Sequence, residues 1–130
     1  MPDIPVPDLA PRIAGKRRVF CCHSATLSGR HIPNSLPAVE ECVVAGVPRL
    51  EVDVRFLADD AMLIFHDGEL DAETTASGRV DELDAARARQ VRYRVDERVP
   101  LCFLGDVVDL VRRGNTLLQV DLKLTRPITP

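Results

Sequence analysis

The stretch Leu50–Asp67, LEVDVRFLADDAMLIFHD, decides how this chain is read. Successive side chains of a strand point to opposite faces, so Glu51 and Asp53 project together while Leu50, Val52 and Val54 project the other way. Two carboxylates side by side on an apolar strand are costly to bury unless a positive charge lies between them. A hard divalent cation meets that need, and His66 further along gives such an ion chemistry to serve. The pair also has plainer readings: a strand edge exposed to water, or burial beside a basic partner such as Lys123.

Elements extend outward from this stretch in both directions. Upstream, an apolar strand is expected over Arg18–His23, followed by a loop through Ser24–Ser35. Asn34 or Ser35 then caps a helix over Leu36–Ala45, with Pro37 tolerated in its first turn. Leu36, Val39, Val43 and Val44 form its inward stripe, and Gly46 and Pro48 stop it. The strand Leu50–Leu57 turns at Asp59-Asp60 into a short strand over Ala61–Phe65. Gly68–Arg79 reads as a polar excursion and Asp81–Val91 as a helix with a weak apolar stripe. Val99–Leu101 is a connector, Leu104–Arg113 a helix ended by Gly114-Asn115, and Thr116–Leu124 an alternating strand. That last strand carries Gln119, Asp121 and Lys123 on one face, with Leu118, Val120, Leu122 and Leu124 on the other. Helices alternating with apolar strands predict an α/β architecture with largely parallel pairing.

The chain has 130 residues, 17 basic and 20 acidic, for a net charge of −3. That balance argues against a dedicated nucleic-acid binder, and no basic run is interleaved with aromatics. Cys21, Cys22, Cys42 and Cys102 suit neither zinc spacing nor a disulfide scaffold, and read as small core residues in a reducing compartment. No apolar run is long enough to span a bilayer and no signal-peptide arrangement opens the chain, so the expected location is cytoplasmic.

Polar groups recur where predicted strands end: His23, Glu51 with Asp53, His66, and Asp121 with Lys123. In parallel α/β folds ligands bind at the carboxyl ends of strands. Asp121 would add a third hard oxygen ligand for magnesium or calcium. His23 and His66 could divide proton transfer as base and acid, or be ordinary loop histidines. Lys123 could hold a phosphoryl oxygen or neutralise the carboxylates, and Asn34 could contact substrate or cap the helix. His31 and Asp59-Asp60 read as exposed loop groups.

These residues, in this order, resemble the glycerophosphodiester phosphodiesterase family. His23-Ser24-Ala25 and Ile32-Pro33-Asn34-Ser35 stand where that family has His-Arg-Gly and Pro-Glu-Asn-Thr. Glu51-Val52-Asp53-Val54, His66-Asp67 and Asp121-Leu122-Lys123 match its Glu-x-Asp-Val, His-Asp and Glu-x-Lys patterns. The resemblance spans His23 to Lys123. It implies a TIM-barrel-like fold and hydrolysis of glycerophosphodiesters with a divalent cation, Mg²⁺ or Ca²⁺. By position it implies His23 and His66 as the acid/base pair, Glu51, Asp53 and Asp121 as metal ligands, and Asn34 and Lys123 as substrate contacts. The departures are Ser24 for a phosphate-gripping arginine, Ala25 for glycine, Pro33 for glutamate and Asp121 for glutamate.

An eightfold barrel takes about 250 residues. The expected fold class is therefore a partial TIM-barrel-like (β/α) sheet of three to four strands, completed by another chain or a missing segment. Residues 1–17 are expected to be an N-terminal extension and 18–130 the first part of the barrel domain. The expected partner is a phosphodiester small molecule or lipid headgroup, with no nucleic acid and no transmembrane segment; a homo-oligomer would close the barrel. The rival expectation is a catalytically weak homologue that binds a phosphorylated ligand or self-associates.

Overall fold

A computed structural model describes residues 20–124 of the chain. The expected N-terminal extension, the start of the first strand at Arg18 and the last six residues lie outside the described residues. β1 (Cys21–Cys22) is only two residues long, because the chain leaves the sheet in a 3-10 turn at His23–Ala25. α1 spans Leu36–Val44. Ser35, not Asn34, caps it: the Ala38 N–H donates to Ser35 Oγ at 3.4 Å. Its buried face is Ala38, Val39 and Cys42, whereas Val44, expected inward, is 81% exposed. The stripe follows the 3.6-residue repeat through Val39 and Cys42, and Val44 falls outside it.

β2 (Arg49–Phe56) organises the sheet. One of its edges pairs in parallel with β5 (Leu117–Leu122) from Arg49↔Leu117 to Val54↔Leu122. Its other edge takes β1 in parallel at its start and β3 (Met62–Ile64) antiparallel at its end. β4 (Cys102–Phe103), which falls between the expected connector and helix, pairs antiparallel with β3. Among the described residues the sheet is thus five-stranded and mixed rather than largely parallel. The reason is the short link between β2 and β3. Leu57–Ala61 can close a hairpin, with Asp60 in the left-handed region at φ 64°, but a parallel crossover needs a dozen or more residues.

The segment expected as a helix over Asp81–Val91 is a 3-10 turn at Val80–Glu82 followed by one helical turn, α2 (Ala85–Ala88). Asp84 begins that turn by accepting the Arg87 N–H at 2.8 Å. Only Ala88 of α2 is buried, so little tertiary packing rewards a longer helix. α3 (Leu104–Val111) closes the layer beside α1. Gly114, just after it, lies so near α1 that a Cβ there would come 3.1 Å from Val43 Cγ1.

Two cores result. Leu50, Val52 and Val54 pack with Val39, Cys42 and Val107 under the helices. Leu57, Leu63, Phe65, Leu70, Val80, Tyr93 and Phe103 form a second core, so the polar excursion is a packed substructure. Cys22, Cys42 and Cys102 are buried as expected, but Cys21 is exposed because it faces the other side of the strand. On β5, Leu117, Val120 and Leu122 are exposed, and so is Leu124 just beyond it.

Candidate active site and metal centre

Strand alternation and register assemble the site. Glu51 and Asp53 lie on the face of β2 opposite the helical core, and the parallel register sets Asp53 beside Asp121 of β5. One oxygen from each of Glu51, Asp53 and Asp121 lies within 4.8 Å of the other two. Glu51 is 5% and Asp53 1% exposed, while Asp121 opens to solvent. The water-exposed strand edge is therefore excluded for the first two.

Each buried carboxylate has one satisfied oxygen. Asp53 Oδ2 accepts the Asn34 Nδ2–H at 2.9 Å and the Ser24 Oγ–H at 3.2 Å. The Asp53 backbone N–H donates to Asn34 Oδ1 at 3.1 Å, so Asn34 grips both side chain and backbone of this residue. Glu51 Oε2 accepts the Ser24 backbone N–H at 3.4 Å and lies 3.5 Å from His23 Nε2. The opposite oxygens, Glu51 Oε1 and Asp53 Oδ1, are buried and have no hydrogen-bond partner. Burial first, and then the Asp53 charge, raise the Glu51 carboxyl above its ordinary value.

Lys123 Nζ lies 2.8 Å from Asp121 Oδ2 and 3.6 Å from Asp53 Oδ1. Its pKa is raised, chiefly by its hydrogen bond to Asp121. One exposed-side ammonium does not satisfy two orphaned buried oxygens. The donor set is all hard oxygen, and it fits a divalent cation held by Glu51, Asp53 and Asp121.

The two histidines have different surroundings. His23 follows β1 directly and its ring reaches Glu51. His66 follows β3, its Nδ1 lying 2.9 Å from Asp67 Oδ1 and its backbone carbonyl accepting from Arg55 Nε at 2.8 Å. It lines a cavity of about 420 Å³ with Arg55, Asp67, Gly68 and Glu69. Arg55 was not singled out from sequence, and Asp67 entered only as part of the His66-Asp67 pattern, with no role of its own. Arg55 continues the 51, 53, 55 alternation, and Asp67 adjoins His66, so both signals were present. A second cavity of about 360 Å³ adjoins this one through Ala72 and is walled by Ile32, Pro33, Glu73 and Tyr93.

The loop between β1 and α1 is tied down. Glu41 accepts the Ser28 N–H and Oγ–H at 2.8 and 2.9 Å, and His31 Nε2 lies 2.9 Å away. His31 is thus no idle surface group. Asp59 is likewise engaged, accepting the Ala85 N–H at 3.0 Å.

The sequence pattern of the glycerophosphoryl diester phosphodiesterase family matches residues 26–128. Glycerophosphodiester phosphodiesterase 1 of Mus musculus is 28% identical over 99 residues, covering 69% of this chain and 29% of that protein. A glycerophosphodiester phosphodiesterase of Bacillus altitudinis is 27% identical over 101 residues, covering 73% of this chain and 41% of that protein. The chain therefore spans less than half the length of these relatives. An Oleispira antarctica phosphodiesterase, solved with the product sn-glycerol-3-phosphate, superposes with a TM-score of 0.73 at 21% identity, covering 82% of this chain and 44% of that one. The Thermotoga maritima glycerophosphodiester phosphodiesterase gives 0.68 at 19% identity, covering 84% and 46%. With the family's sequence pattern matched over residues 26–128, most of its length, this chain belongs to the glycerophosphoryl diester phosphodiesterase family.

Proposed function

We propose that this chain carries the metal-binding and acid/base groups for hydrolysing glycerophosphodiesters to an alcohol and glycerol phosphate. The observation that carries this reading is a pair of buried oxygens without a hydrogen bond, Glu51 Oε1 and Asp53 Oδ1, on two residues whose carboxylates cluster with that of Asp121. Magnesium or calcium bound there supplies Lewis-acid polarisation of a phosphoryl oxygen. Lys123 stands ready to pair with a second phosphoryl oxygen from the Asp121 side.

Protons move through the histidines in this reading. An Nδ1–H donated by His66 to Asp67 leaves Nε2 with its lone pair, fixed in direction by the carboxylate. His23, whose Nε2 approaches Glu51, is the partner group. One imidazole takes the proton of the attacking hydroxyl, from water or from the neighbouring glycerol hydroxyl, the latter attack first giving a cyclic phosphate that water then opens. The other gives a proton to the leaving alcohol. The cavity beside His66 offers that alcohol room. A lipid headgroup or a small phosphodiester both fit this chemistry.

Among the described residues no helix is long and apolar enough to cross a membrane. The four cysteines are free, which supports a reducing, cytoplasmic setting. A second reading is a weakly active, self-associating homologue, favoured by exposed Leu117, Val120 and Leu122 on β5. Further strands against β5, from a second copy or a longer chain, would continue the sheet towards a barrel. Mass in solution tests that: a dimer supports association, and a monomer at all concentrations argues against it.

The test of the enzymatic reading is glycerophosphodiester hydrolysis with and without Mg²⁺ or Ca²⁺, repeated with Glu51→Ala and His23→Ala. A cation-dependent rate lost in both variants is expected. No such rate, or full activity in either variant, would refute it.

A further inference from the structure

We propose that Ser24 is a positioning residue of the carboxylate cluster: its hydroxyl holds one oxygen of Asp53 so that the other is presented to a divalent cation. The inference rests on the metal-site reading above and adds to it a residue whose side chain is not itself a ligand.

Ser24 uses all of its hydrogen-bonding groups on the site. Its N–H reaches Glu51 Oε2 at 3.4 Å, its Oγ–H reaches Asp53 Oδ2 at 3.2 Å, and its carbonyl accepts the Asn34 N–H at 2.9 Å. It is only 8% exposed, so water does not compete for these groups on equal terms. The backbone conformation that aims them is unusual. Ser24 sits at φ 51°, ψ 32°, and Ala25 follows it at φ 56°. Left-handed backbone is unfavourable for residues with a Cβ, and two in succession persist only where surrounding contacts fix them. Here the contacts of Ser24 to the carboxylates and to Asn34 help fix the turn, together with the Thr26 N–H on the His23 carbonyl and Cys42 Sγ on the Ala25 carbonyl.

The consequence falls on Asp53. A carboxylate rotates broadly about χ2, and its two oxygens are chemically equivalent until a neighbour distinguishes them. Asn34 and Ser24 both donate to Oδ2, from two different parts of the loop. That double anchor leaves Oδ1 buried and without a hydrogen bond, 3.6 Å from Lys123 Nζ. With Asn34 alone, Oδ2 has a single tether, and the carboxylate can turn towards the Lys123 ammonium. Ser24 is also neutral, so it orients Asp53 without offsetting any of the negative charge that attracts a cation. Groups that orient a metal ligand commonly carry tenfold to hundredfold in affinity.

The experiment is calorimetric titration of the full chain with Mg²⁺ and with Ca²⁺, alongside thermal melting without added metal. Two variants delete the same oxygen in opposite backbone contexts. Ser24→Gly removes the hydroxyl and relieves the left-handed conformation; Ser24→Ala removes it and keeps the Cβ. Both are expected to bind the cation about tenfold more weakly. Ser24→Gly is expected to melt no lower than the parent chain, which separates positioning from mere structural support. Equal affinity in the parent and both variants would overturn the role of Ser24 and leave the metal site standing. An affinity loss that appears only together with a lower melting temperature in Ser24→Gly would also overturn it, by making Ser24 structural. Absence of cation binding by the parent chain would instead remove the metal-site reading, and this inference with it.

Discussion

Replacing Glu51 with glutamine is predicted to stabilise the metal-free protein and destabilise it relative to the parent once divalent cation is present. The cause is the repulsion stored between buried carboxylates. Ligand oxygens of Glu51 and Asp53 lie within 4.8 Å, and both residues are almost wholly buried. At an effective dielectric of about 20, two unit charges at that spacing repel by about 3 kcal/mol. Lys123, 3.6 Å from Asp53 Oδ1, offsets part of this. The glutamine amide also retains one oxygen able to accept the Ser24 N–H, now at 3.4 Å from Glu51 Oε2. A net gain of about 1 kcal/mol for the metal-free variant follows, which for a domain of this size raises Tm by about 4 °C. At a cation concentration a hundredfold above Kd, the parent gains about 2.7 kcal/mol from binding, and the variant gains little. The order of melting temperatures should therefore reverse between chelator and saturating Mg²⁺ or Ca²⁺. Calorimetric melting at neutral pH reads both arms. A lower Tm for Glu51→Gln in chelator, or no cation-induced rise in the parent, would refute the reasoning.

Three further outcomes follow from residues that do not belong to the carboxylate cluster. Tyr93 is 1% exposed and its hydroxyl has no hydrogen-bond partner, so Tyr93→Phe should raise stability by about 1 kcal/mol in chemical denaturation. Val52, wholly buried between the helices and the sheet, should cost about 2 kcal/mol as Val52→Ala, read the same way. Burial raises the Glu41 carboxyl, but the Ser28 hydrogen bonds and the His31 and Arg30 charges outweigh it and leave it below the ordinary 4.5. A carboxyl depressed in the folded state binds fewer protons there than when unfolded. Its stabilising contribution is present above pH 4.5 and is lost as pH falls through the depressed value. Glu41→Gln should flatten that acid limb of the stability–pH curve, and an unchanged limb would exclude Glu41 as its source.

The part of the fold nearest Leu50–Asp67 was legible because periodicity there is strict. Alternation along β2 put Glu51 and Asp53 on one face and Leu50, Val52 and Val54 on the other, as expected. Asp121 was legible as a polar group on a strand and as a candidate third ligand, but nothing local to it reveals that β5 pairs with β2 in register across more than sixty residues of chain. The mixed sheet was missed because pairing direction depends on the length of the connection, and Leu57–Ala61 was weighed as turn chemistry alone. The helix expected over Asp81–Val91 rested on Ala and Arg propensity. Propensity alone loses when Val80, Leu83, Val91 and Tyr93 are needed in a second core that no straight helix can reach. Asn34 was read as a substrate contact or helix cap, whereas its amide is committed to Asp53 and Ser35 performs the capping. Ser24 drew attention as a missing arginine, and its own hydrogen bonds became visible only with the left-handed turn after β1.

The most direct test of the central claim is release of glycerol phosphate from a glycerophosphodiester by the chain and by Asp53→Asn, each with chelator and with Mg²⁺ or Ca²⁺. Asp53→Asn keeps the volume of the residue and its contact with Asn34 while removing the charge. The account predicts a cation-dependent rate in the parent that falls by at least about a hundredfold in chelator and in the variant. A rate indifferent to chelator, or an Asp53→Asn variant as fast as the parent, would contradict it.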